Sequence, residues 1–117
     1  MLIFDTINQK VYVNLSPRAD VKMLDIFMND FNAQIKEGKQ YSAHTFKAFN
    51  GKNPIYHTNV MLGILSKHAV VSLDTVKSKE ERNNLEEQLT SKEKNVKPKK
   101  LIKISIDEVN NFCGNVL

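Results

Sequence analysis

A histidine and an asparagine stand two apart in an otherwise apolar stretch, PIYHTNVML, at residues 54–62. If this stretch is a strand, His57 and Asn59 point to the same face, because strand side chains alternate between faces. An imidazole accepts or donates a proton near neutral pH, and an amide offers both a donor and an acceptor. The pair is therefore a candidate for proton transfer and ligand binding. The alternative is two structural polar residues bonded to backbone.

Arg18 is the second candidate for chemistry. It belongs to LSPRAD, residues 15–20, where a predicted strand passes into a predicted helix. A guanidinium at the end of a strand can bind a ligand carboxylate through two parallel hydrogen bonds. The alternative, an exposed surface arginine, agrees with the sequence equally well.

Cys113 is the only cysteine of the chain and a weak candidate nucleophile. Its neighbours in NNFCGNVL include no base that could activate the thiol. The sequence favours a small buried cysteine beside a turn at Gly114. A single cysteine forms no internal disulfide and fits a reducing compartment. His44 and His68 lack metal-ligand spacing with each other or with Cys113, so we expect neither a metal nor another cofactor.

Composition narrows the class of protein. The net charge is +4, and the lysine surplus collects in KEKNVKPKK, residues 92–100, without aromatic residues. Such a run is typical of a solvated loop, so we expect no nucleic-acid partner. Asp5 and Lys10 interrupt the first apolar residues, which argues against a signal peptide. No apolar run approaches the roughly 20 residues of a membrane span. We expect a cytoplasmic protein without a membrane partner.

The pattern of apolar residues predicts a first set of elements. LIFD and VYVNLS are typical of strands, and YSAHTFKAF of a third strand. Between them, Pro17 and Asp20 begin a helix that ends before Gly38. The apolar stripe of this helix is formed by Val21, Leu24, Met28, Phe31 and Ile35.

After the turn NGKNP the same order of elements repeats. IYHTNVMLGIL and HAVVSLDTV are predicted strands, and KLIKISI is the third strand. Ser78 and Glu81 form a capping box for a helix that reaches about Lys92, with Leu85 and Leu89 facing inward.

A second capping box follows the last predicted strand. Ser105 and Glu108 indicate a short helical turn that stops at Gly114. The chain therefore divides into two strand–strand–helix–strand (ββαβ) units, residues 1–50 and residues 54–117, of one partial domain, residues 1–117. Repeated units of this kind need neighbours to bury their faces.

Four of these segments, taken together, resemble a known family. LIFDTINQKVYVNLSPRAD, NGKNPIYHTNVML, HAVVSLDTV and FCGNVL are similar, in this order, to the arginine deiminase and amidinotransferase (pentein) superfamily. Within it, they resemble the citrulline-hydrolase-like amidinotransferase branch. The resemblance covers nearly the whole chain apart from the lysine-rich loop. It implies an α/β propeller of five ββαβ blades around a central substrate channel. This chain resembles two central blades of it, a partial pentein propeller.

The resemblance also implies roles for the candidate residues. In the family, a cysteine thiolate attacks a guanidino or ureido carbon, a histidine shuttles protons, and carboxylates hold the substrate nitrogens. His57 matches the catalytic histidine. Asn59 falls where many relatives have an aspartate, and an amide suits the neutral ureido group of a citrulline-like substrate. Arg18 matches the arginine that binds the substrate carboxylate in an S-x-R-T motif, although Ala19 replaces the threonine.

Two departures from the family affect the expected activity. The family nucleophile follows the segment that matches GNVL, and Cys113 does not match it. The acidic glycine-rich motif precedes the segment that matches LIFD. We therefore expect a fragment or truncated member of a guanidino- or ureido-group hydrolase family, inactive alone and prone to self-association through exposed blade faces. The alternative is a non-catalytic binding or interaction module that reuses the fold.

Overall fold

The computed structural model describes residues 2–15, 21–36, 38–55, 58–91 and 97–107. Within these ranges the chain forms two three-stranded sheets, a short two-stranded hairpin, two α-helices and two 3-10 helices. Each three-stranded sheet has an antiparallel pair followed by a parallel pair, and a helix connects the two parallel strands.

The first sheet has the strand order β1–β2–β3. Strand β1 (Leu2–Asp5) pairs antiparallel with β2 (Lys10–Asn14), and β2 pairs in parallel with β3 (Ser42–Phe46). A tight turn joins β1 to β2, and Gln9 adopts a positive φ of 53° at its end. The strands predicted from LIFD and VYVNLS and the first part of YSAHTFKAF are confirmed.

Helix α1 (Val21–Ala33) provides the crossover that parallel neighbours require. Leu24 and Met28 are buried against Val11 and Val13 of β2, so the centre of the predicted apolar stripe is confirmed. The first residue of the stripe is not buried: Val21 is 49% exposed.

Helix α1 ends before Ile35, which was expected to continue it. The Asn32 side chain accepts a hydrogen bond from Tyr41 N at 2.8 Å and donates one to Tyr41 O at 2.9 Å. These bonds tie the end of the helix to the approach to β3. Gly38 then lies in a turn with φ of 88°, a left-handed conformation that favours glycine.

The second sheet has the order β6–β7–β8. Strand β6 (Leu62–Ile64) is antiparallel to β7 (His68–Val71), which is parallel to β8 (Lys100–Lys103). Helix α2 (Lys79–Thr90) connects β7 to β8. The serine half of its predicted capping box is confirmed, because Ser78 Oγ accepts from the backbone N of the third helical residue at 3.3 Å.

Short elements fill the connection between the sheets. Strands β4 (Phe49–Asn50) and β5 (Asn53–Pro54) form a hairpin around the predicted Asn-Gly turn, with Gly51 at φ of 64°. The strand predicted from HAVVSLDTV ends at Val71. Leu73–Thr75 instead form a 3-10 helix, in which Thr75 Oγ1 donates to the carbonyl before the helix at 2.7 Å.

The described residues form a core of two hydrophobic clusters. The larger joins both sheets through helix α2, and its largest fully buried members include Tyr12, Phe46, Met61, Leu62, Leu85 and Leu89. The smaller lies on the opposite face of the first sheet, beneath α1. Leu85 and Leu89 were predicted to face inward, and both are 1% exposed.

Candidate active site

One of the predicted site residues falls within the described part of the chain. Asn59 lies in a 3-10 helix, Thr58–Val60, and is partly buried. The strand predicted here is wrong over these three residues, so the shared strand face no longer connects Asn59 to His57. His57, Arg18 and Cys113 lie outside the described residues, and their roles stay predictions.

The 3-10 helix forms because its first residue is fixed by bonds that a strand would not make. Thr58 is fully buried, and its hydroxyl oxygen accepts a hydrogen bond from the backbone N of Asn14 at 3.0 Å. The carbonyl of Thr58 accepts from Met61 N at 3.1 Å, which closes the turn. The chain enters β6 only after this turn.

Asn14, the last residue of β2, is the centre of this region. Its side chain is fully buried. Asn14 Oδ1 accepts a hydrogen bond from Ala48 N at 2.8 Å, and Asn14 Nδ2 donates to Ile55 O. Ile55 N in turn donates to Ala48 O at 2.9 Å. One side chain therefore connects the end of β2 to two chain segments beyond β3.

The next residue of the chain continues this arrangement. Leu15 N donates to Phe46 O at 2.7 Å, beyond the last register pair of β2 and β3. Leu15 begins the LSPRAD segment, and Thr58 belongs to the YHTNVM segment. Leu15 and Thr58, one residue from each predicted site segment, therefore lie at the same end of the first sheet.

Sequence reasoning missed Asn14. In VYVNLS it shares a strand face with Tyr12, and the alternating pattern makes this the polar, solvent-facing side of a half-buried strand. The structure instead buries both faces of β2, with Tyr12 and Asn14 each 0% exposed. The sequence therefore carries no local signal for this anchor, whose polar atoms are satisfied by hydrogen bonds as buried polar groups nearly always are.

A second buried polar cluster corrects the prediction of a fully solvated lysine-rich loop. Lys99 is 4% exposed. Its ammonium group donates to Leu65 O at 2.8 Å and Ser66 O at 3.0 Å and lies 3.5 Å from Asp5 Oδ1. Burial is possible because two carbonyls and a carboxylate replace the water that such a charge needs.

Asn8 ties the same loop to the first sheet. Its side chain donates to Asp5 Oδ2 at 3.0 Å and Lys97 O at 2.8 Å and accepts from Lys97 N at 2.7 Å. Asp5 also accepts from the backbone N of Ile7 and Asn8. With its oxygens occupied in this way, the Asp5 carboxylate functions as a structural link between the sheets.

Two titratable side chains lie side by side on the buried face of the first sheet. Tyr12 and His44 are register partners whose rings are 5.7 Å apart. Burial, with the negative charge of Asp5 second, raises the pKa of the Tyr12 phenol well above its usual range. Burial, with the positive charge of Lys10 second, lowers the pKa of His44. His44 Nε2 is 3.0 Å from Ser42 Oγ.

Among the described residues, no group of three or more His, Cys, Asp or Glu side chains is arranged to hold a metal ion. In the same part of the chain, no helix is long and apolar enough to cross a membrane.

Mixed α/β architecture with small sheets and two helices fits a pentein-like fold. The family model described as "N,N dimethylarginine dimethylhydrolase, eukaryotic" matches residues 1–117, the whole chain. The chain therefore belongs to this family, a guanidino-group hydrolase-like branch of the pentein superfamily. No curated protein and no solved structure is significantly similar to it.

The match confirms the superfamily that the sequence motifs predicted. The citrulline-hydrolase-like branch, the fragment status and the number of propeller blades stay predictions. Across the described strands, neither three-stranded sheet closes on itself.

Proposed function

We propose that this chain forms one side of a guanidino- or ureido-group hydrolase site. In this proposal His57 transfers protons, Arg18 binds the substrate carboxylate, and Asn59 binds the group that is hydrolysed. The observation that carries the proposal is the bonding around Asn14, which holds together the described ends of the two segments that contain these residues. Family membership supports the class of substrate.

The substrate we propose is an arginine- or citrulline-like amino acid. The family name specifies N,N-dimethylarginine, a cationic guanidinium compound. Asn59 offers a neutral amide, which matches the C=O and NH2 of a ureido group without adding charge. A carboxylate at this position would favour a guanidinium cation instead. Asn59 therefore supports the neutral, citrulline-like ligand over the cationic one.

A polypeptide of these 117 residues should bind such a ligand without turning it over. Covalent catalysis needs a thiolate close to the proton-transferring histidine. Cys113, the one cysteine of the sequence, does not match the family nucleophile. Ammonia or dimethylamine release that is lost in His57→Ala would show that this part of the proposal is wrong.

Calorimetric titration tests the binding site directly. Citrulline, arginine and N,N-dimethylarginine are titrated into the purified chain, the Arg18→Ala variant and the matched control Arg82→Ala, which changes the only other arginine. The proposal expects binding that Arg18→Ala weakens and Arg82→Ala leaves intact. Asn59→Asp should shift the preference from citrulline toward the cationic ligands.

The second candidate function is a non-catalytic interaction module that reuses the fold. The outer face of α1 favours it, because Met23, Ile26 and Phe27 are exposed there at 63%, 56% and 38%. Absence of binding for all three amino acids, together with retained folding, would favour this candidate over the hydrolase site.

Self-association through this face is part of the proposal. Helix α2 contacts the second sheet, to which it belongs, and also the first sheet. For the outer face of α1 to be covered in the same way, a further ββαβ unit would have to pack on it. We propose that a second copy covers it. Sedimentation should show a concentration-dependent dimer that Ile26→Glu disperses. A monomer at every concentration would exclude this contact.

A further inference from the structure

We propose that a cavity between the two ββαβ units binds an acidic segment of another protein, which inserts one apolar side chain. The cavity has a volume of about 150 Å³ and is lined by residues of the β1–β2 turn and of the β6–β7 turn. It lies where β2 begins, at the other end of this strand from Asn14. The proposal uses no residue of the candidate active site.

The rim of the cavity is apolar and open to solvent. Ile7 of the β1–β2 turn is 37% exposed, Leu65 of the β6–β7 turn is 43% exposed, and both line the cavity. Phe4 and Ile64, each partly buried, belong to its wall. A cavity of about 150 Å³ can hold a ring of the size of benzene. One apolar side chain of a partner therefore fits it, and its insertion would remove two exposed apolar side chains from water.

Three exposed lysines belong to the segments around this rim. Lys67 is the last residue of the β6–β7 turn, and its carbonyl accepts from Lys100 N at 2.9 Å. Lys97 is tied to the β1–β2 turn, because its amide and its carbonyl both bond the side chain of Asn8, the residue after Ile7. Hydrogen bonds therefore keep all three lysines close to the cavity.

The positive charge of this surface is not compensated within the described ranges. The two ion pairs seen there use other lysines: Lys99 pairs with Asp5, and Lys103 pairs with Glu86. Asp5 lines the cavity, but the Lys99 ammonium lies 3.5 Å from its carboxylate and offsets the negative charge. A surplus of positive charge around an apolar opening favours an acidic partner and disfavours a basic one.

The main chain of both turns is fixed before a partner binds. The buried Lys99 ammonium donates to Leu65 O at 2.8 Å and to Ser66 O at 3.0 Å. On the other side of the cavity, Asp5 accepts from Ile7 N at 3.1 Å. A preformed surface loses less conformational entropy on binding than a mobile one. The contacts that join the two units therefore also shape the proposed binding surface.

An acidic polypeptide fits this surface better than other polyanions do. Single-stranded nucleic acid stacks its bases on aromatic side chains, and the described rim offers only the partly buried Phe4. An anionic membrane is bound by an extended amphipathic face or a longer basic cluster, not by one cavity. A single cavity beside a few lysines is instead typical of one anchoring side chain within an acidic segment.

Fluorescence anisotropy with labelled synthetic peptides tests the proposal on the full 117-residue chain. The first peptide is rich in glutamate and has one central phenylalanine, the second has serine in its place, and the third has glutamine for every glutamate. The protein variants are Leu65→Ser at the rim and the double variant Lys67→Gln with Lys100→Gln. The matched control, Lys47→Gln with Lys52→Gln, removes the same charge from exposed positions beyond β3.

Only the peptide with both glutamate and phenylalanine should bind well. Its affinity should fall by about tenfold or more in Leu65→Ser and in the rim lysine variant, and by less than about twofold in the control. Binding should also weaken as the salt concentration rises from about 50 to 300 mM, because exposed charges are screened.

Four results would overturn the proposal. Equal binding of the phenylalanine and serine peptides would mean that the cavity contributes nothing, and equal losses in the rim and control lysine variants would leave net charge as the cause. No binding of any peptide excludes the surface. Tighter binding of single-stranded DNA or anionic vesicles, with displacement of the peptide, would assign it to another class of partner. The peptide comparison uses the unmodified chain, so it decides even if Leu65→Ser fails to fold.

Discussion

The two helices have the same place in their ββαβ units but opposite surroundings. Helix α2 lies between two sheets, and Leu85 and Leu89 belong to the cluster that joins them. In the described part of the chain, helix α1 packs on the first sheet, with Leu24 and Met28 against β2. The outer face of α1 is nevertheless apolar and exposed. One unit thus shows a completed interface between neighbours, whereas the other leaves an apolar helix face exposed.

The contact between the units depends on charge as well as on apolar packing. Lys99 precedes β8 of the second sheet, and its ammonium group lies against Asp5 at the end of β1. It also bonds the carbonyls of Leu65 and Ser66 in the loop before β7. The outer face of α1 has no described counterpart of this link, so the two helices differ in electrostatic support as well as in burial.

Removal of this buried charge should have the largest effect. Lys99→Met leaves the Asp5 carboxylate, whose side chain is 2% exposed, without its cation. Breaking a buried ion pair from one side typically costs about 3–5 kcal/mol in the free energy of unfolding. Urea denaturation followed by circular dichroism measures the loss.

The double variant Asp5→Asn with Lys99→Met provides the control for this experiment. Removing both charges avoids the unpaired carboxylate, so part of the lost stability should return. Equal losses in the single and double variants would show that the ion pair does not link the two units.

Truncation of the two helices compares their packing directly. Leu85→Ala should lower the free energy of unfolding by about 2–5 kcal/mol, because it opens a cavity between the sheets. Ile26→Ala, on the outer face of α1, should change it by no more than about 0.5 kcal/mol in the monomer. Similar losses for both would mean that the two helices are equally covered in solution.

Sequence patterns predicted most of these elements because their causes are local. Strand alternation, the stripe of α1 and the Ser78 cap depend on neighbours within a turn or two of chain. The predictions failed where a distant partner decided the outcome. Thr58 leaves the strand pattern because Asn14 holds its hydroxyl. Lys99 is buried because Asp5, at the other end of the chain, supplies the counter-charge.

The sequence predicts the residue types of the candidate site but not their arrangement. The chemistry and motifs of His57, Asn59 and Arg18 make them candidates, yet no local pattern relates LSPRAD to YHTNVM. The link that the structure describes runs through Asn14 and Thr58, whose bond joins residues 44 apart in sequence. Such a contact arises from packing of the sheet end, which periodicity does not encode.

The cap of α2 offers a smaller test of the second unit. Ser78 Oγ accepts from Glu81 N at 3.3 Å on an exposed surface. Ser78→Ala should lower the free energy of unfolding by about 1 kcal/mol, because an amide of the first turn loses its acceptor. Ser78→Asp keeps an acceptor and should retain the stability. The cap has no role if serine, alanine and aspartate give equal unfolding curves.

The smallest predicted effect concerns the pH dependence of the first sheet. Burial and the nearby charge of Lys10 lower the pKa of His44 in the folded protein. The unfolded chain therefore binds a proton more readily, with a midpoint near the ordinary 6.5. Stability from this group is complete above that value and is lost as pH falls from 6.5 toward the lower folded pKa. His44→Gln should flatten the dependence of the unfolding free energy on pH in this window. The effect should be small, since His44 is half-buried and water screens its charge. If wild type and His44→Gln run parallel from pH 7 downward, the neutral imidazole contributes nothing to the stability of the sheet.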